Sequence, residues 1–276
     1  MSEAPERTRR ARAAAERALV RVVHHYGGCP EFVLLGGLVP ELLCADTDYR
    51  HAGTIDIDVQ VNLEIACGAV KTRRLELALR NAEFEPDDQR IWRWRADGEE
   101  RGAVIKFELL SDLDDQPAGA HIEFDECDAL GAANLRGTGF ASLDFEVHVL
   151  TAKIGGVVHS ANVNVTGLAG FLLAKCAAAN ARRKPKDWYD IAFVLLHNDS
   201  GGPEAAARQV RELFGNELRS SQTALRDLQA NFADAGAQGT RAYAEQMLVD
   251  HPDLDDATLR ADAILAVHAF CSQLLE

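Results

Sequence analysis

No run of eighteen or so apolar residues occurs in this 276-residue chain, which excludes a membrane-spanning helix on length alone. Met1 to Arg21 is rich in Ala, Arg and Glu with no long apolar core, so it reads as an exposed helix and not as a secretory signal. Cysteine is thinly spread: Cys29, Cys44, Cys67, Cys127, Cys176 and Cys271 show no C-x-x-C spacing. That argues against a zinc site or a disulfide framework and for reduced, packed thiols in a cytoplasmic protein. His24-His25 with Cys29 has the right ligand types for a metal but reads as helix-end packing. Basic residues are in deficit, 29 against 43 acidic, and the net charge of −14 excludes broad, nonspecific coating of nucleic acid. The acidic loop at Asp112, Asp114 and Asp115 lacks the central glycine and terminal Glu of an EF-hand. No internal repeat and no sustained heptad run is present.

With 47% hydrophobic and 26% charged residues, the chain can bury a full core. It reads as two domains, residues 1–166 and 167–276. Within the first lies Gly53-Thr54-Ile55-Asp56-Ile57-Asp58-Val59-Gln60-Val61, where apolar residues alternate with polar ones as in a strand with one buried face. Asp56 and Asp58 then point the same way, with Cα atoms about 6.6 Å apart. Two charges near that separation repel by about 2–3 kcal/mol at an effective dielectric of 20, so a positive group is expected between them. Hard divalent cations such as Mg²⁺ take carboxylate oxygens together with substrate phosphates, and D-x-D beside a glycine turn suits phosphate transfer. Alone, D-x-D is more often two acids facing solvent.

Upstream, Phe32 to Leu35 reads as a buried strand, Gly36-Gly37 as a turn, and Leu38 to Ala45 as a helix with Pro40 in its first turn. Backbone N–H groups at such a turn can receive a triphosphate, although glycine there also serves close packing. An amphipathic helix over 5–26 precedes this strand and ends at Gly27-Gly28; it is expected to pack on the sheet. Ala69 to Ala82 has helical periodicity, with Leu75, Leu77 and Leu79 as apolar residues. Arg90–Ala96 and Gly102–Leu110 read as a hairpin around Asp97-Gly98-Glu99-Glu100, with Trp92 and Trp94 on a buried face and Arg93 and Arg95 opposite. Glu108 lies on the polar-leaning face of the second strand. Shorter strands are expected at 121–124, 145–150 and 162–165.

From Gly167 the pattern is helical. Leu168 to Ala181 carries Lys175 in apolar surroundings, where a lysine is directed at a partner: either a triphosphate or a structural acid. After Pro185 a helix runs to His197, with Asp187 fitting its N-cap and Asp190 its N3 position. Further helices are expected near 204–214, 217–234, 239–248 and 256–275. The basic groups Arg182, Arg183, Lys184 and Lys186, and Arg90, Arg93, Arg95 and Arg101, present charge suited to phosphates, and each also reads as a solvated face.

Gly36-Gly37, a helix, and Thr54-x-Asp56-x-Asp58 on a strand resemble the signature of DNA polymerase β-like nucleotidyltransferases. Lys175, then Arg182-Arg183-Lys184-Pro185-Lys186-Asp187-Trp188-Tyr189-Asp190-Ile191, is similar to the K…R-x-K-x-x-D-x-Y-D-[LI] segment of AbiEii/AbiGii-type toxins, including the MenT group. The likeness spans roughly residues 32–196. Two departures stand out: Gly37 replaces the family's usual Ser, and the gap to Asp56 contains an inserted loop near Asp46 to His51. The resemblance implies an α+β (α/β) nucleotidyltransferase fold, with a mixed sheet flanked by helices and a C-terminal helical bundle. It implies Mg²⁺ held by Asp56, Asp58 and a third acid, Glu108 or its rivals Glu123 and Glu146, and an NTP met by Gly36, Gly37, Thr54 and Lys175. One of Asp187 and Asp190 would complete the site, and tRNA 3′ ends and a cognate antitoxin would be the partners. Transfer to a small cationic molecule or a protein, or a silent nucleotide-binding module, are the competing expectations.

Overall fold

The computed structural model describes residues 8–61, 70–98 and 103–275. Residues 1–7, Cys67, Ala69, Glu99, Glu100, Arg101 and Gly102, on which some of the expectations above fall, lie outside them. The chain forms two compact units: the described parts of Met1–Val39 with Gly53–Thr166, and Pro40–Ala52 with Gly167–Glu276. Segment 40–52 thus belongs with the C-terminal helices and not with the strands on either side of it in sequence.

In the first unit, α1 (Arg9–Tyr26) starts where Thr8 Oγ1 accepts the Ala11 N–H at 3.0 Å and stops where Gly27 takes a φ of 75°. Its buried face, including Leu19, Val20 and Val23, packs on the sheet. The strands are β1 (Val33–Leu35), β2 (Asp56–Gln60), β3 (Glu85–Asp87), β4 (Arg90–Asp97), β5 (Val104–Ser111), β6 (His121–Glu123), β7 (Gly131–Asn134), β8 (Phe145–Ile154) and β9 (Val157–Thr166). They form one mixed sheet in the order β3-β4-β5-β2-β1-β9-β8, with β7 beside β5 and β6 beside β7. β2 lies in the interior, antiparallel to β1 and parallel to β5. Ile57 and Val59 are fully buried, as alternation predicts.

Several expectations need correcting here. β3 and β7 had no strand signal in the sequence: β3 contains Pro86, and β7 reads Gly-Ala-Ala-Asn. The expected strands at 145–150 and 162–165 are halves of one long hairpin that turns at Gly155-Gly156, both with positive φ. In α3 (Val70–Asn81), Leu75 and Leu79 are buried but Leu77 is 54% exposed, because residue 77 is two positions from each and faces away. The helix expected over 38–45 is a 3₁₀ turn, Gly36–Leu38, followed by the four-residue α2 (Pro40–Leu43).

The second unit is helical: α2 with α5 (Leu168–Arg182), α6 (Pro185–His197), α7 (Pro203–Phe214), α8 (Leu218–Asn231), α9 (Gln238–Asp250) and α10 (Asp256–Leu274); α4 (Phe140–Leu143) belongs to the first. α6 begins at Pro185 with Lys184 as N-cap, so Asp187 sits inside the first turn and is not the cap. No helix among the described residues is long and apolar enough to cross a membrane.

At the end of α6, His197 meets Tyr49 (ring centroids 5.0 Å apart) and Tyr243 (Nε2 to hydroxyl, 3.3 Å). Burial, helped by His251, holds its pKa down at about 4. The unfolded chain therefore binds a proton below pH 6.5 that the folded chain refuses until about pH 4, so stability falls as pH drops through that window. We expect a loss of roughly 2–3 kcal/mol from this group, and His197→Phe should flatten the unfolding free energy between pH 6.5 and 4.5. Equal pH slopes in urea titrations of the two proteins would contradict the assignment.

Candidate active site

β2 carries Asp56 and Asp58 on its half-buried face. The strand is entered through Thr54, whose Oγ1 accepts the Asp56 N–H at 3.1 Å and so fixes the backbone just ahead of the first acid. Leu35, the last residue of β1, is level with Asp58, which brings Gly36 beside that carboxylate. Gly36 has φ +79°, and a Cβ there would lie 2.8 Å from Asp58 Cγ and closer still to Oδ2. Backbone conformation and space both demand glycine. At Gly37 a Cβ would come within 2.8 Å of Thr54 Cβ, so the threonine side chain fills the room that a serine at 37 would take. Gly36→Ala is expected to cost roughly 1–3 kcal/mol and to displace the Asp58 carboxylate; an unfolding midpoint equal to that of the unaltered protein would contradict this.

Across the neighbouring strands, charges stand in two rows. Arg93, Glu108 and Asp58 are in register over β4, β5 and β2, and Arg95, Lys106 and Asp56 form the next row. Lys106 Nζ lies 3.4 Å from Asp56 Oδ1, supplying the positive group expected near the acids. Glu108 is level with Asp58 and is held by the Arg93 guanidinium. Its rivals stand elsewhere: Glu123 is on β6 and Glu146 on β8, neither of which neighbours β2. Among the described residues no three His, Cys, Asp or Glu side chains converge as a metal cage.

The second unit contains a chain of buried charges. Lys175, 6% exposed on α5, places Nζ 2.6 Å from Asp190 Oδ2 and 3.4 Å from Asp187 Oδ1. One acid of this pair was expected near Lys175; both stand there. Arg182, two turns along α5, grips Asp187 through Nε at 2.7 Å and Nη2 at 2.6 Å. Burial pushes the Asp187 carboxyl up, but Lys175 and then Arg182 outweigh it and hold its pKa below the usual value. The helix pair that builds this cluster turns at Arg183, whose φ of 49° is unusual for a residue with a side chain. On the far side, His51 Nε2 lies 3.0 Å from Asp190 Oδ1, and the Ala52 N–H donates to the Tyr189 hydroxyl at 3.0 Å.

The AbiEii model, described as a nucleotidyl transferase toxin of type IV toxin–antitoxin systems, matches residues 17–267. The chain belongs to the AbiEii family. No curated protein matches it. Membership makes this AbiEii chain a nucleotidyl transferase of a toxin–antitoxin system, with a nucleoside triphosphate as substrate and an antitoxin as partner. It extends the likeness well beyond residues 32–196, into the C-terminal helices that carry no recognisable motif.

Two AbiEii residues in these clusters escape sequence reasoning. Lys106 alternates with Glu108 on a strand whose register against Asp56 no pattern announces. His51 sits in the inserted loop, and nothing local distinguishes it from a surface histidine.

Proposed function

We propose that this AbiEii protein transfers a nucleoside monophosphate from an NTP to an acceptor hydroxyl, breaking the α–β phosphoanhydride bond and releasing pyrophosphate and the hydroxyl proton, and that it acts in the cytoplasm on tRNA 3′ ends. The supporting observation is the face of β2: Asp56 and Asp58 side by side, with Gly36 kept bare of a side chain against Asp58. Two carboxylates of this kind fit a hard divalent cation. Bound there, Mg²⁺ would neutralise charge on the triphosphate and favour in-line attack at the α-phosphorus.

In this reading Asp56 and Asp58 would hold the ion, and Glu108, paired with Arg93, would be the nearest further carboxylate. Backbone N–H groups at Gly36-Gly37 receive phosphate oxygens, and Thr54 keeps the Asp56 backbone in place. The four-residue α2 adds little dipole, so the turn itself carries that contact. Lys175 contributes a point charge to the triphosphate, with Asp187 and Asp190 orienting its ammonium. The charge of −14 favours a second reading, transfer to a small cationic acceptor such as an aminoglycoside.

The test incubates the protein with each α-labelled NTP, Mg²⁺ and total tRNA. Label on tRNA that disappears with Asp56→Ala supports the proposal. Label on an aminoglycoside offered in place of the tRNA supports the second reading of the acceptor, and NTP binding with no transfer to either reduces the chain to a nucleotide-binding module.

A further inference from the structure

His51 is 2% exposed and lies in a loop with no other assigned role. A buried imidazole must find partners, and this one is enclosed by Tyr189 (centroids 5.1 Å apart), Phe193 (5.2 Å) and the Asp190 carboxylate at 3.0 Å. Asp190 thus divides its oxygens, Oδ1 to His51 and Oδ2 to Lys175. The carboxylate accepts on both sides, so the imidazole donates from Nε2. One planar group held at both ends cannot rotate, and the ammonium it carries is held with it. The neighbouring Ala52 N–H, tied to the Tyr189 hydroxyl, fixes the loop backbone against the same helix.

We propose that His51 is a positioning residue for triphosphate binding: by donating to Asp190 Oδ1, it locks Asp190 and so aims the Lys175 ammonium. This rests on the triphosphate role proposed for Lys175. Two features favour positioning over simple packing. The contact goes to the acid that holds Lys175 most closely, and Asp187, the more distant acid, already has Arg182 to orient it.

The test titrates ATP, CTP, GTP and UTP, each with Mg²⁺, and the matching monophosphates, into the unaltered protein and into His51→Gln, His51→Asn, His51→Leu and Lys175→Met. A glutamine amide nitrogen reaches where imidazole Nε2 stands, whereas asparagine stops short and leucine donates nothing. We expect NTP affinity to fall roughly 10-fold with Asn or Leu, as for a lost hydrogen bond to a charged group, to recover largely with Gln, and to leave monophosphate affinity unchanged. A merely structural histidine would lower both affinities together, in step with the unfolding temperature; that result overturns the inference. So does NTP binding by His51→Asn and His51→Leu equal to that of the unaltered protein while Lys175→Met is impaired, or failure of both variants to fold. If Lys175→Met binds NTP normally, or the unaltered protein binds none, the underlying role of Lys175 fails instead, and the inference with it.

Discussion

Asp58→Asn is expected to lower nucleotidyl transfer by about 10³-fold or more while the protein stays folded, because an amide matches the carboxylate in shape but not in charge. The same substitution should not cost stability. Asp56 and Asp58 share a strand face at about 6.6 Å between Cα atoms, and removing one of two like charges relieves up to about 2–3 kcal/mol of repulsion at an effective dielectric of 20. Asp56→Asn should be equally inactive but less stable than Asp58→Asn, since it takes the partner from Lys106 Nζ, 3.4 Å away and only partly solvated. Steady-state transfer rates with urea unfolding of all three proteins check both parts. An active Asp58→Asn protein, or the opposite order of stability, would contradict the arrangement.

The second large effect is on Lys175. Removing the ammonium with Lys175→Met leaves Asp190 and Asp187 buried beside an apolar chain, and breaking a buried ion pair from one side costs about 3–5 kcal/mol. Asp187 retains Arg182, so most of the penalty should fall on Asp190. Adding Asp190→Asn should return part of the stability, giving a coupling of roughly 2 kcal/mol in a double-mutant cycle. Transfer activity should not return with it, because the amide restores folding without restoring the charge proposed to meet the triphosphate. An additive cycle would show that the two groups do not depend on one another. Recovery of activity in the double variant would make Lys175 purely structural.

Much of the architecture follows from local pattern. The helices from 168 onward appear within a few residues of their expected bounds; α5, α6 and α7 each start at a Gly or Pro, and Asp255 caps α10. β2 and its two acids are legible in the same way: alternation over 55–61 admits one strand register. Elements stabilised by neighbours instead of their own residues are not legible. β7 forms from Gly-Ala-Ala-Asn because β5 and β6 offer it ladder partners, and Asn134 closes the turn by donating to the carbonyls of Leu113, Gln116 and Pro117. The membership of 40–52 in the helical unit depends on long-range bonds, such as those from the Ala45 and Asp46 N–H groups to the Asp199 carboxylate. His51 was hidden by that same segment. The likeness of 175–191 to the toxin family marked Lys175, Asp187 and Asp190, but spacing alone could not tell which acid the lysine meets; the turn at Arg183 brings it both.

Calorimetric titration of Mn²⁺ and NTP into the unaltered protein, Asp56→Asn and Asp58→Asn reads the central proposal without waiting for an acceptor to be known. The proposal predicts NTP binding that requires the metal in the unaltered protein and is lost in both variants, while all three unfold cooperatively. Metal-dependent NTP binding that survives both substitutions would show that the paired carboxylates of β2 are not where the nucleotide is held.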